Sequence, residues 1–166
     1  MPKKKATAKR CIRLVVDVWF GRGLRFRKGS ISRTIDILSD QTLDDLHWAI
    51  YYAFDRYDDH LYRFSFGTTK PYDRDAYHID GYNPFLDTAE TEKVANEVLM
   101  GDLNLPPKAT FFYLFDFGDD WWHRITVLDP DAPYDPNKSY PDVVKKKGDS
   151  PPQYETWDEE SEDDDN

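Results

Sequence analysis

Between Thr110 and Leu128 the chain reads TFFYLFDFGDDWWHRITVL, and its centre gathers the side chains best equipped for chemistry. Asp116, Asp119 and Asp120 supply hard carboxylate oxygens, while His123 and the more distant His60 supply imidazole nitrogens. A divalent cation takes donors of these types, and a bound cation would activate water for a metal-dependent hydrolase or nuclease. The spacing gives that reading little support. Of the four histidines none forms an H-x-x-x-H or H-x-H pair, so local structure holds no two imidazoles together. Asp116-Phe117-Gly118 also spells the metal-binding tripeptide of protein kinases. No His-Arg-Asp loop, lysine-bearing strand or complete glycine loop accompanies it, which excludes a kinase.

The same residues also make a turn. Gly118 permits positive φ, Asp116 or Asp119 can accept from turn amides, and Trp121 and His123 alternate toward the buried side of the returning strand. A buried His123 bonded to a carboxylate would pin such a turn. On this preferred reading Asp116, Gly118, Trp121 and His123 define the fold, and no catalytic residue, metal or cofactor is assigned. An acidic, aromatic rim of Asp58, Asp59, Tyr72, Tyr77, Asp119, Asp120 and Trp122 then faces a protein or peptide partner, as aromatics at a polar rim do in interfaces.

These residues need elements to hold them. Ile12, Leu14, Val16, Val18 and Phe20 alternate with Arg13, Val15, Asp17 and Trp19, the period of a strand with one buried face. Gly21-Arg22-Gly23 interrupts, and a second strand follows from about Ser30 to Leu38. Ser39, Asp40 and Thr42 offer N-cap oxygens for a helix from about Leu43 to Asp55, whose core stripe is Leu43, Leu46, Ile50, Ala53 and Phe54. His47 beside that stripe reads as a hydrogen-bonded structural residue. Leu61 to Phe66 resumes alternation as a third strand. Gly67 to Asp87 is a long loop, with a short strand near Tyr77 to Ile79, and its Tyr72, Tyr77, His78 and Tyr82 are candidates because long loops often carry function. Asp87 and Thr88 cap a second helix carrying Val94, Ala95, Val98 and Leu99, closed by Gly101. The predicted class is α+β, a mainly antiparallel curved sheet in the order β-β-α-β-(loop)-α-β-β on one principal helix, roll-like.

Composition bounds the rest. Ten Phe, eleven Tyr and five Trp in 166 residues are too many for a disordered chain and imply an aromatic core. The sequence divides into a disordered basic leader at 1–10, one domain at 11–157 and a disordered acidic tail at 158–166. A net charge of −10 weighs against phosphate-backbone binding by the body. No apolar run is long enough to span a membrane or to form a secretory leader, and the single cysteine, Cys11, sits inside an alternating strand; a cytoplasmic protein is expected.

Two segments carry a resemblance. Thr42-Leu43-Asp44-Asp45-Leu46-His47-Trp48-Ala49-Ile50 with His60-Leu61-Tyr62-Arg63-Phe64, and Tyr113-Leu114-Phe115-Asp116-Phe117-Gly118-Asp119-Asp120-Trp121 with His123 and Ile125, resemble the plasmid pRi ORF-three-like family. Gly148-Asp149-Ser150-Pro151-Pro152 is similar to that family's Pro-Pro element, so the likeness runs from about Ile12 to Pro152. It implies an α+β fold with a curved antiparallel sheet holding the helix, and some members are associated with mobile elements. It implies no catalytic residues.

Overall fold

The computed structural model describes residues 9–85 and 93–155. The acidic tail, most of the basic leader and the expected caps Asp87 and Thr88 lie outside the described residues. Among the described residues, eight strands, β1 (Cys11–Gly21), β2 (Leu24–Arg25), β3 (Ser32–Leu38), β4 (Tyr62–Phe66), β5 (Tyr77–Asp80), β6 (Thr110–Phe115), β7 (Trp121–Ala132) and β8 (Asp142–Lys147), accompany one α-helix, α1 (Leu43–Ala53). All pairings are antiparallel, in the open order β5-β4-β6-β7-β1-β3-β8, with β2 folded back on the end of β1. The α+β class and the antiparallel sheet match the sequence reading; β2 and β8 are additional strands.

Over the described part of the expected second helix, two short 3-10 turns stand in its place, Ala95–Glu97 and Met100–Leu103. Val98 and Leu99 between them are extended, because the chain entering α1 claims their backbone groups. Leu43 N donates to Val98 O, Met100 N to Gln41 O and Gly101 N to Ser39 O, at 3.0, 2.8 and 2.8 Å. Of the stripe that predicts a helix, Ala95 and Val98 are buried but Leu99 is 37% exposed, and Met100 is buried in its place, as the extended link between the two turns requires.

Helix α1 begins in a reciprocal cap: Thr42 Oγ1 accepts from Asp45 N at 3.1 Å and Asp45 Oδ2 from Thr42 N at 2.8 Å. Its far end is held by Arg33, a buried residue of β3 whose Nε donates to Ala53 O at 2.9 Å and whose Nη1 reaches Lys147 O and Gly148 O, both at 3.0 Å. A cation at this end also suits the helix dipole. Leu43, Leu46 and Ile50 pack on a sheet face made by Leu14, Val16, Ile35, Ile37, Phe111, Tyr113, Phe115, Trp121, Ile125 and Val127. Burial of one such side chain is worth about 1.5–3 kcal/mol against about 1 for a cap, so packing holds the helix and the cap places its start. The opposite sheet face carries a second cluster, Phe112, Leu114 and Trp122 with Trp19 and Phe20 beside them.

Arg22 and Gly23, both at positive φ (49° and 73°), form the two-residue turn between β1 and β2, the primed geometry that tight hairpins favour. One residue earlier, Gly21 meets a different demand: a Cβ there would lie 1.9 Å from the Trp121 ring, whereas one at Gly23 would meet nothing within 4 Å. We therefore expect Gly21→Ala to destabilise by overpacking, by about 1–3 kcal/mol in urea unfolding. Gly23→Ala should show only the cost of its left-handed backbone, about 1 kcal/mol. A neutral Gly21→Ala would contradict this packing.

Candidate functional site

Asp116 turns inward on its own loop. Its Oδ1 accepts from Gly118 N at 2.9 Å and Asp119 N at 3.2 Å, and Asp120 N donates to Asp116 O at 2.7 Å. The positive φ values fall on Asp116 (65°) and Asp120 (52°), not on Gly118 as the sequence predicts. Aspartate tolerates that region when its carboxylate bonds nearby amides, as Asp116 does here.

His123 does belong to the buried face of β7, and its partner differs from the expected one. Among the described residues no carboxylate meets it; Nδ1 lies 3.1 Å from Trp121 O and 3.3 Å from Tyr113 O, and since carbonyls only accept, Nδ1 carries the hydrogen. Burial, then the nearby Arg56 charge, lowers its pKa to about 3, so the ring is neutral. Burial does the same to His47, also to about 3, and its Nδ1 sits 2.6 Å from Tyr113 Oη.

The five donors of the metal reading diverge. His60 Nε2 lies 3.5 Å from Asp116 Oδ2, but Asp120 Oδ2 accepts from Tyr72 Oη at 2.8 Å on the other side of the turn, and His123 is enclosed in the core. Among the described residues no three His, Cys, Asp or Glu side chains are grouped to hold a metal ion. Cys11 is buried, and its thiol is pushed up to about 11, chiefly by burial, which leaves it unreactive.

The rim residues are only partly brought together. Asp58 accepts from Tyr154 Oη, whose oxygen is 2.6 Å from His60 Nε2, while Gln153 Nε2 donates to Asp58 O at 2.6 Å and fastens this loop to the segment that follows β8. Asp59 Oδ1 lies 3.3 Å from His47 Nε2. Tyr72 stands edge-on to Trp122 at 4.8 Å and bonds Asp120, so those three do meet. Trp122 is not outward, however: it is 3% exposed, buried on the outer sheet face beneath Tyr72. Tyr77 pairs with Phe66, at the end of β4 and β5 away from the hairpin, and joins none of the others.

Four residues outside the predicted rim complete what Tyr72 and Asp120 begin. Trp19, Phe20, Leu24 and Pro71 join Tyr72, Asp120 and two glycines around a groove of about 450 Å³. Leu24 is 51% and Tyr72 66% exposed. Beside it lies a polar depression bounded by Arg22, Gly118, Asp119, Tyr154 and Glu155, and Gly23 and Asp120 border both. Alternation in β1 places Trp19 on the outer face and is visible in sequence. Phe20 joins it there because the β1–β7 register shifts between Val18 and Phe20, a bulge with no sequence signal.

The sequence pattern of the family described as plasmid pRiA4b ORF-3-like protein matches residues 23–154. Among solved structures, the chain is similar to one described as a protein of unknown function, MM3350, from Methanosarcina mazei Go1. The two share 22% identity with a TM-score of 0.60, over 87% of this chain and 73% of that one. This likeness concerns the fold. No curated protein gives a significant match, and among the described residues no helix is long and apolar enough to cross a membrane.

The buried histidines set a pH dependence. An ordinary histidine titrates near 6.5, and His123 in the fold near 3. Between those values the unfolded chain binds a proton that the folded chain refuses, so stability is whole above the upper value and lost as pH falls toward the lower. At about pH 5 the loss amounts to about 2 kcal/mol for this residue. His123→Asn, which keeps an N–H for Trp121 O, should shrink the difference in urea-unfolding free energy between about pH 7.5 and about pH 5 by that amount. An unchanged difference would show that His123 does not carry the effect.

Proposed function

The chain belongs to the plasmid pRiA4b ORF-3-like family, and we propose that it is a non-catalytic interaction module. Its ligand is an extended protein segment, bound in the groove between Trp19, Phe20, Leu24, Pro71 and Tyr72. The supporting observation is that groove: Leu24 and Tyr72 stay exposed above it, and Asp120 is its single charged residue. Apolar and aromatic anchors around a water-excluding pocket are what carry binding energy in protein interfaces.

The adjoining depression defines the occupant further. Asp119, Asp120 and Glu155 outnumber Arg22 there, so a segment that places an aromatic or leucine side chain in the groove gains by placing a lysine or arginine next to it. A partner with this chemistry also suits the overall acidity of the chain. The buried, unreactive Cys11 is compatible with a reducing cytoplasm as the setting.

A random peptide library displayed on phage and selected on the full chain should enrich sequences with an aromatic or leucine residue close to Lys or Arg. The best synthetic peptide should lose affinity at least about tenfold against Leu24→Asp, read by fluorescence anisotropy. Asp120→Asn should cost less, since its charge sits at the groove's rim. Failure to enrich any such motif, or equal binding to Leu24→Asp, would overturn the reading.

A further inference from the structure

A second cavity lies away from the Tyr72 groove, where the start of α1 faces β4 and the residues after β5. It measures about 590 Å³, its lining includes Asp44, His47, Trp48, Asp59, Tyr62 and Tyr82, and among the described residues no Lys or Arg lines it. We propose that this cavity binds an organic cation, a primary ammonium or guanidinium group on an aliphatic stem.

Three features support the assignment. The walls are aromatic, with Trp48 and Tyr82 beside Tyr62, whose ring stacks on His47 at 3.8 Å between centroids. Ring faces attract a cation most strongly where water is excluded. Gly81 keeps this wall tight, since a Cβ there would lie 2.5 Å from the Tyr62 ring. Next, two carboxylates line the cavity. Tyr62 Oη donates to Asp44 Oδ1 at 2.6 Å, and Asp59 Oδ1 lies 3.3 Å from His47 Nε2. Each carboxylate has several lone-pair sites, so these contacts leave acceptor capacity for a ligand.

The third feature is His47 itself. It is 1% exposed, lines the cavity, and uses Nδ1 on Tyr113, while Nε2 is buried with no hydrogen-bond partner, its 3.3 Å contact with Asp59 falling short of good geometry. With the ring hydrogen on Nδ1, donated to Tyr113 Oη, Nε2 presents a lone pair, and an unpartnered buried acceptor lining the cavity is one that an ammonium or guanidinium N–H satisfies. Burial raises the proton affinity of Asp59, and the neighbouring charges of Asp44 and Asp58 add to the rise. A cation held between the carboxylates relieves that repulsion. A bare divalent ion fits less well: calcium and magnesium take six or more oxygens, and among the described residues no three His, Cys, Asp or Glu side chains are grouped to hold a metal ion.

The test uses the full chain labelled at its indole nitrogens, with the Trp48 resonance identified through Trp48→Phe. n-Butylammonium or n-butylguanidinium should shift that resonance saturably, and the neutral 1-butanol should not. Asp59→Asn should weaken binding about tenfold while leaving the unfolding midpoint in place; if that variant is unstable, Asp44→Asn serves in the same assay. Tighter binding of N-acetyl-lysine methylamide than of spermidine would point to a protein side chain as the source of the cation, and the reverse order to a free polyamine. The proposal fails if no cation shifts Trp48 at about 50 mM, well above the range expected of a specific site, if butanol acts equally, or if a folded carboxamide variant binds as tightly as the wild type. None of these readouts depends on the groove at Tyr72, so either site can fail alone.

Discussion

The fit between Trp121 and Gly21 is the constraint on which the rest of the structure depends. The indole occupies the volume that any side chain at position 21 would need, with a Cβ falling 1.9 Å from it. Its surroundings are filled by the Arg56 guanidinium, 4.1 Å from the ring centroid, and by Phe26, stacked at 6.2 Å. Arg56 is buried, and desolvation is the main cause that lowers its pKa to about 10. The π face supplies part of the stabilisation that lost water would have given. Because β1 ends against Trp121, its turn lands beside the β6–β7 hairpin, and Arg22 N donates to Asp119 O at 2.7 Å. Phe20 and Leu24 from one hairpin and Asp120 from the other are thereby brought to a single groove.

That arrangement gives the aspartates of the second hairpin separate tasks. Asp116 satisfies amides within the turn, Asp120 orients Tyr72 over Trp122, and Asp119 borders the polar depression. A catalytic cation would need them to converge, and the turn that gives each its role also directs them apart. Crowding in sequence therefore reflects the demands of a tight connection between two buried strands more than it reflects reactivity.

Legibility followed the physics of each element. Alternation in β1 and β7 and the three-and-four spacing in α1 report burial directly, and those elements stand where the sequence places them. The 94–103 segment departs from its helical spacing because residues 39–43 bind its backbone groups, which leaves Ala95, Val98 and Met100 buried and turns Leu99 outward. Trp122 was legible as facing away from the helix, but the loop that folds back through Tyr72 to bury it has no periodicity to read. The Asp44–Asp59–His47 cavity joins side chains from the start of α1 and the loop after it, and only tertiary structure shows them together. Charge and composition indicate an acidic body with an aromatic core, and its concave parts follow from tertiary structure alone.

The central claim is that the two hairpin ends together form the partner-binding face. Amide chemical-shift mapping of the full chain with a peptide selected on it tests this most directly. The account predicts that the largest changes fall on Phe20, Leu24, Tyr72 and Asp120, with Tyr77 at the far end of β5 undisturbed. Changes centred on β5, β8 or the outer turn of α1, with Leu24 and Tyr72 unmoved, would contradict it.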